Sequence, residues 1–385
     1  MAVTGAVIGG SGIGERAATA RQRMTPPPEI GGHYHRGMHD FVPASARPAA
    51  TPAAAVPPLA NTSSVWRRAW HPVGHAEDIT ADSPAQVLIA GRAWVVVRLD
   101  GRLAAFEDQC PHRLAPLSAG TVTRAADGTA RLTCAYHGWR YDADGRCDLV
   151  PALGRQGNVS RRARLRPAYG AAEAYGLVWL APEEPLAPLP AFPEWAEAGM
   201  TRARSRTVRT RASAGQLVDN FLDAAHFPFV HAASFGVADD KPLAAGDVTT
   251  GTSAWQVTGV FDTPYRDGGL VVSHRVIKTA GVSGSAHVRL ELPGVTIGIL
   301  LACQPESDLA TRVFKLITRG DVGGDAGRLE TFVKEEDQIL AEDLAILERY
   351  QSGLLPLDLR AEAHTRADRL SVAWRRLMAD ATAHV

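Results

Sequence analysis

Cysteine is scarce in this sequence: 385 residues hold four, Cys110, Cys134, Cys147 and Cys303. A secreted fold stapled by disulfides is denser in cysteine, so a disulfide framework is excluded and a reducing, cytoplasmic setting is expected. No stretch of about 18 consecutive apolar residues occurs, and no membrane-spanning helix is expected. A typical secretory h-region with its small-residue cleavage site is also lacking, so no signal peptide is expected. Neither sign of charge is in excess, with 41 Lys+Arg against 41 Asp+Glu. That balance removes any bulk electrostatic case for binding nucleic acid or a membrane surface. No internal repeat is present. Apolar residues are not lacking: 45% of the chain is hydrophobic and eight residues are tryptophan. A chain of this length is expected to form roughly two domains.

The chain changes character along its length. Residues 25–60 are loaded with proline and alanine, as in MTPPPE and ARPAATPAAAVPPLA. Such a segment buries too little apolar surface to offset its ordering entropy, so residues 1–61 are expected to be a flexible tail. Within it, AVTGAVIGGSGIGERAA places Gly10, Gly12 and Gly14 as in a nucleotide-binding turn. That motif needs a βαβ unit and a later acidic residue. Here the chain runs into TPPPE, so the turn is read as binding nothing. From Trp66 to Pro182, short runs such as WVVVRLD and GLVWLAP alternate with DG turns and predict a small all-β domain. A Pro-rich linker, PEEPLAPLPAFPEW, follows. The remainder reads as α+β, with a helix near 214–226, five strands between 253 and 318, and closing helices near 326–351 and 358–380.

Two mixed Cys/His pairs stand in the β domain: Cys110-x-His112 and, 21 residues later, Cys134-x2-His137. Structural zinc sites usually pair like with like along the chain. Here each pair lends one sulfur and one imidazole, which suits a two-iron cluster with two thiolates on one iron and two imidazoles on the other. Cys147 and Cys303 have no such partner and read as structural thiols. The signature CPHR…CAYHGWRYD resembles the Rieske [2Fe–2S] binding motif, across residues 66–180.

Downstream, QLVDNFLDAAHFPFVH carries Asp219, Asp223, His226 and His231. On one continuous helix the first three share a face. Pro228 is expected to break that helix and let His231 swing back beside His226. Two imidazoles beside a carboxylate suggest a metal, and with one further acid they form the facial triad of non-haem Fe(II) oxygenases. The stretch resembles the Asp-x2-His-x4-His motif of Rieske non-haem iron oxygenase α subunits, matched by Asp223, His226 and His231. The resemblance covers residues 62–385. It implies an N-terminal all-β Rieske domain (62–182) followed by a helix-grip α+β catalytic domain (183–385).

The third ligand is sought in FVKEEDQILAEDLAILERYQ. Asp337 and Asp343 are six residues apart, so on one helix they point about 120° apart. Asp343 is flanked by Ile339, Leu340, Ile346 and Leu347, and a carboxylate facing the core needs a partner or a metal. Asp343 is therefore chosen. EDLAILERYQ also resembles the family's C-terminal acidic motif, with a glutamate five residues after the aspartate. EEDQILAED fits that spacing too and keeps Asp337 as runner-up.

The resemblance further implies a [2Fe–2S] cluster, a mononuclear Fe(II), O2, and electrons from NAD(P)H through a separate reductase, with or without a ferredoxin. It implies a ring of subunits, usually a trimer, with an electron route from His137 of one chain through Asp223 of the next to His226. Asp223 is then a bridge between centres, and no nucleic acid or membrane is involved. The expected chemistry is hydroxylation, dihydroxylation or oxidative demethylation of an aromatic or alicyclic small molecule. Pocket walls are expected from SAHVRLEL and GVTIGILLACQP, with His274, His287 and Arg289 nearby and His287 a candidate for a polar substrate group. His364 reads as a surface residue, and Leu370, Ala373, Trp374 and Leu377 as the apolar stripe of the last helix. The competing class is a Rieske electron-transfer protein whose second domain binds a ligand without catalytic iron.

Overall fold

A computed structural model of the protein describes residues 56–81, 83–154, 159–235, 248–267 and 270–385. The Gly-rich turn and most of the Pro/Ala-rich stretch lie outside the described residues. Ten short strands occupy the region read as the first domain: β1 (His71–His75), β2 (Ala85–Ile89), β3 (Arg92–Leu99), β4 (Arg102–Glu107), β5 (Thr121–Arg124), β6 (Ala130–Thr133), β7 (Arg140–Tyr141), β8 (Cys147–Leu149), β9 (Gly170–Ala174) and β10 (Leu177–Ala181). They pair antiparallel in three small sheets, β1-β10-β9, β2-β3-β4 and β5-β6-β7-β8. Local chemistry sets the turns. Asp100 and Gly101, between β3 and β4, both take left-handed backbone (φ 50° and 79°), the conformation that a tight two-residue hairpin needs. Inward side chains such as Val95, Val97, Phe106, Leu132 and Tyr141 form a buried cluster that also takes in Cys110 and Cys134.

The second region holds eight strands: β11 (Thr201–Arg204), β12 (Val208–Thr210), β13 (Thr249–Thr252), β14 (Gln256–Asp267), β15 (Leu270–Gly281), β16 (Ser285–Leu292), β17 (Val295–Ser307) and β18 (Ala310–Arg319). They form one antiparallel sheet in the order β11-β18-β17-β16-β15-β14-β13, with β12 also on β18. Register aligns Phe261, Val276, Leu290 and Ile297 in one row across four strands. Cross-strand partners share a face, so this row is an apolar floor. Ala224 and Phe227 pack against the same cluster.

Among the described residues, five α-helices complete this region: α1 (Ala214–Leu222), α2 (Phe227–Val230), α3 (Ala232–Phe235), α4 (Ala326–Leu347) and α5 (Arg369–Ala383). A capping box between Ser213 and Gln216 starts α1. Helix α5 begins later than expected from the sequence. Residues 359–361 and 366–368 form separate 3-10 turns, in which Asp358 and Thr365 accept hydrogen bonds from nearby backbone N–H groups. The expected stripe is present, with Leu370, Trp374 and Leu377 buried and His364 exposed.

The two regions share a core. One buried cluster runs from Trp66 and Val178 through Val218 and Leu301 to Trp374. Backbone bonds join them as well: Ala90 N–H donates to Pro305 O (2.7 Å) and Gly91 N–H to Glu306 O (3.0 Å). Leu59 and Asn61, which composition assigns to the tail, are buried instead. Leu59 pairs with Leu355 as an isolated bridge. Among the described residues no helix is long and apolar enough to cross a membrane.

Candidate metal centres

The two Cys/His loops are copies of one turn. Leu114 N–H donates to Cys110 O (2.8 Å) and Gly138 N–H to Cys134 O (3.0 Å). Each cysteine N–H in turn donates to the carbonyl five residues on, Ala115 O or Trp139 O, at 2.8 Å. The fifth residue of each loop has left-handed backbone, Leu114 at φ 57° and Gly138 at φ 68°. For a leucine that conformation costs on the order of 1 kcal/mol, so the fold imposes it. Both cysteines are buried free thiols. Tyr141 Oη lies 3.1 Å from Cys110 Sγ. The imidazoles stand together, His112 and His137 with ring centroids 4.5 Å apart, and His112 stacks on Trp139. His112 Nδ1 is buried with no hydrogen-bond partner. Two thiols at the core and two imidazoles towards solvent fit a mixed-ligand two-iron cluster. A one-ion site would need all the ligand atoms at one focus. Among the described residues only His226, His231 and Asp343 bring three such atoms within 4.8 Å of one another.

That second focus is assembled from three elements. Asp343 projects from α4, and its Oδ1 lies 3.1 Å from His231 Nε2 and 3.4 Å from His226 Nε2. His226 Nε2 is buried and makes no hydrogen bond. The far nitrogen of each ring is held: His226 Nδ1–H donates to Asp223 Oδ2 (3.0 Å), and His231 Nδ1–H to Glu342 Oε2 (2.8 Å). Those bonds fix the tautomer that leaves Nε2 as a metal ligand. Two imidazoles and one carboxylate, each pointed inward, fit Fe(II) with open positions.

Comparison with known proteins finds one family over each of the two regions. Residues 69–166 match the family described as Rieske [2Fe-2S] domain, and residues 210–384 match the Vanillate O-demethylase oxygenase C-terminal domain. The chain carries the domain pair of the Rieske non-haem iron oxygenases. Methylxanthine N1-demethylase NdmA of Pseudomonas putida is 30% identical over 208 residues, covering 51% of this chain and 56% of that protein. Rice chlorophyllide a oxygenase is 32% identical over 169 residues, covering 43% of this chain and 29% of that protein. The matched region thus spans from under a third to about half of these curated relatives. Among solved structures, an NdmA QL mutant with caffeine superposes with a TM-score of 0.70 at 24% identity, covering 82% of this chain and 90% of that one. Dicamba monooxygenase bound to dicamba gives 0.66 at 21% identity, covering 84% and 98%. These two likenesses speak for the fold.

The electrostatics suit the two sites. Burial, then the neighbouring His137 and Arg113, push His112 below its ordinary pKa, towards the neutral imidazole that binds metal. Burial alone would raise Asp343, but the neighbouring His226 and His231 outweigh it and bring it down to about 2. Burial would likewise lower His226, and Asp223 and Asp343 more than offset that. Burial drives the Cys303 thiol up to about 12 and raises Cys147 as well, consistent with inert structural thiols.

Three details differ from the sequence reading. Helix α1 ends at Leu222, and Asp223 is already extended (φ −68°, ψ 143°), so the break precedes His226. Pro228 lies in the first turn of α2, where a missing N–H costs nothing, and so it starts a helix rather than breaking one. Asp219 therefore does not share a face with the histidines; it pairs with Arg375 at 2.6 Å. Of the candidate acids, Asp343 stands at the focus. Asp337 is not in that group, although its Oδ1 is buried without a hydrogen bond. Glu348, five residues after Asp343, instead accepts from Thr210 Oγ1 (2.6 Å). His287 is engaged elsewhere, its Nε2 2.8 Å from the buried Glu194, which also binds Arg289. Sequence reasoning missed Glu342, although its place one residue before Asp343 was a usable signal. Asn220, in the ligand-bearing stretch but given no role, donates from Nδ2 to Asp343 Oδ1 at 3.3 Å, and Lys278 was missed as well.

Proposed function

We propose that this α subunit is a terminal oxygenase that oxidatively demethylates a methylated aromatic small molecule. Cys110, Cys134, His112 and His137 would hold the [2Fe–2S] cluster, and His226, His231 and Asp343 the mononuclear Fe(II). When bound, the iron supplies O2 activation and the cluster supplies electrons one at a time. In balance, an aryl methyl ether or an N-methyl heterocycle takes up one O2, two electrons and two protons. It yields the free hydroxyl or ring N–H compound, formaldehyde and water. The electrons come from NAD(P)H through a separate reductase, with or without a ferredoxin. The convergence of His226, His231 and Asp343, with Asp223 and Glu342 behind the two rings, carries this reading. A Rieske electron carrier with a non-catalytic second domain would have no use for that arrangement.

The substrate reading rests on the apolar floor. Phe261, Val276, Leu290 and Ile297 offer a flat aliphatic and aromatic surface in the same cluster as Ala224 and Phe227 of the ligand-bearing turn. His274 of β15 is two residues from Val276 on the same face, and burial lowers its pKa. A neutral imidazole there orients a polar edge of a planar ring. The match to a vanillate O-demethylase domain, and to relatives named as N-demethylases, favours demethylation over dihydroxylation.

Electron transfer runs between subunits in a ring, with three chains the expected number. Leu114 and Tyr136 on the cluster loops are 67% and 65% exposed. A groove of about 660 Å³ holds Asp223, His226 and Asp343 beside Ile346, Tyr350 and Leu354, all three exposed apolar side chains. An apolar tip on one end and an apolar-rimmed groove on another make a head-to-tail contact that closes into a ring. Asp223, whose carboxylate lines that groove, is the bridge to the His137 of the next chain. The test is iron content and product. Three irons per chain are expected, with formaldehyde released from methoxyaromatics or N-methyl heterocycles under reductant and O2. Two irons per chain and no turnover on any panel member would leave the electron-carrier reading.

A further inference from the structure

Lys278 has no place in the chemistry above, yet it is 3% exposed, in the second half of β15. Burying an ammonium is costly unless charges or dipoles replace its water. No carboxylate lies within salt-bridge distance of it among the described residues. Its Nζ instead donates to two backbone carbonyls, Phe221 O at 2.7 Å and Asp223 O at 2.9 Å. The Phe227 ring centroid lies 4.7 Å away, within range for a cation over an aromatic face.

Those two carbonyls belong to the end of α1 and the residue after it. A helix C-terminus leaves its last carbonyls unpaired and carries partial negative charge, so it is a natural seat for a cation. Asp223 N–H still turns back to Asp219 O and Asn220 O. Phe221 O and Asp223 O bracket the point where the chain leaves the helix, and one ammonium grips both. The side chain leaving there is Asp223, which accepts from Ala225 N–H (2.8 Å) and from His226 Nδ1–H. Three residues after Asp223 comes His226. Asp223 and Asp343 raise the Lys278 pKa against burial, which still brings it down to about 8. The lysine therefore stands in the field of both acids while touching neither.

We propose that Lys278 is a positioning residue: it pins the exit of α1 to the sheet by two carbonyls and so aims His226 at the metal and Asp223 at the cluster side. This rests on the reading of His226, His231 and Asp343 as the metal site, and the experiment separates the two. Full-length protein with its [2Fe–2S] cluster intact and its mononuclear site emptied is titrated with Co(II), in wild type, Lys278→Met and Asp343→Ala. Lys278→Met keeps the apolar stem and removes all donors. Its cluster absorption should match wild type, its Co(II) affinity should fall about 10- to 100-fold, and its d–d bands should shift as His226 turns. A purely structural lysine would lower the melting temperature but leave the Co(II) affinity and d–d spectrum of the folded protein unchanged; that result overturns the proposal. Wild-type Co(II) binding in Asp343→Ala overturns the metal-site reading and with it the proposal. Loss in Asp343→Ala with none in Lys278→Met overturns the lysine's role alone. If Lys278→Met does not retain its cluster, Lys278→Gln replaces it. The amide keeps a donor but is too short to reach both carbonyls. The same loss is expected, and wild-type affinity in it overturns the proposal.

Discussion

Each imidazole at the triad is backed by its own carboxylate, and the two carboxylates have different surroundings. Glu342 is bonded to His231, Ser234 and Gln338. Burial would raise its pKa, but those hydrogen bonds outweigh burial and hold it below the ordinary value. Glu342→Gln keeps the shape and removes the negative charge that holds the far side of the His231 ring. Fe(II) affinity should fall about 10- to 100-fold with the cluster spectrum unchanged, as measured by competition with a chelator. Asp223 lines the open groove and is held below the ordinary carboxylate range: burial raises it, and His226, the Ala225 N–H and Lys278 more than offset that. Asp223→Asn loses the charge and one acceptor. It should keep its cluster and most of its mononuclear iron. Electron transfer from a pre-reduced cluster, followed in a single turnover with substrate and O2, should slow by about 100-fold or more. Transfer at the wild-type rate would leave Asp223 a structural role only.

At the scale of the element, α4 decides which acid stands beside His226 and His231. Phe332, Glu336, Leu340, Leu344 and Leu347 form its buried stripe. Asp343 sits beside that stripe on the edge facing α1, where Asn220 can donate to it. Asp337 lies about 120° around the helix from Asp343 and cannot reach the same point. Asp343→Ala should lose the mononuclear iron while the [2Fe–2S] absorption survives, and Asp337→Ala should keep both, as read by iron analysis and visible spectra. Exchanged phenotypes would mean that α4 is rotated from the arrangement described. The same geometry accounts for the misplaced break in the ligand-bearing segment. Periodicity carried α1 on to residue 226, because Asp223 and His226 continue the helical spacing. The early exit at Leu222 is set by Lys278, which lies about 55 residues away and takes the terminal carbonyls, so no local signal announced it.

For the whole molecule, the segment before the first strand works as a strap. Asn61 Nδ2 donates to Ser307 O (2.9 Å), Ala310 O (3.2 Å) and Thr311 Oγ1 (2.9 Å), and its Oδ1 accepts from Ala214 N–H (2.9 Å) at the start of α1. Removing it strands several buried groups at about 1–3 kcal/mol each. Asn61→Ala should lower the melting temperature by roughly 5–10 °C, whereas deletion of residues 1–53 should leave both stability and cluster content intact. Calorimetry on the two variants checks this. The proposed ring predicts complementation as well. A chain without its cluster (Cys134→Ala) and a chain without its mononuclear iron (Asp343→Ala) are each inactive alone. When co-expressed, they should regain a measurable fraction of turnover, because one intact cluster then faces one intact iron across a subunit boundary. Persistent inactivity of the mixed oligomers would place electron transfer within single chains.

The sequence by itself marked the residues of both proposed metal centres. Cys110, His112, Cys134 and His137 lie in two short loops, and His226 and His231 five residues apart, so local spacing carries their chemistry. The alternation of strands and the stripe of α5 were legible for the same reason: periodicity is a local property. Only the tertiary structure decided between Asp337 and Asp343 by geometry, placed Glu342 behind His231, withdrew His287 into its pair with Glu194, and drew Leu59 and Asn61 out of the expected tail. Each of those outcomes depends on which residues from distant parts of the chain meet across the packed sheet and helices. A carboxylate's role follows from the partner it meets, and spacing along one segment says nothing about a partner more than a hundred residues away.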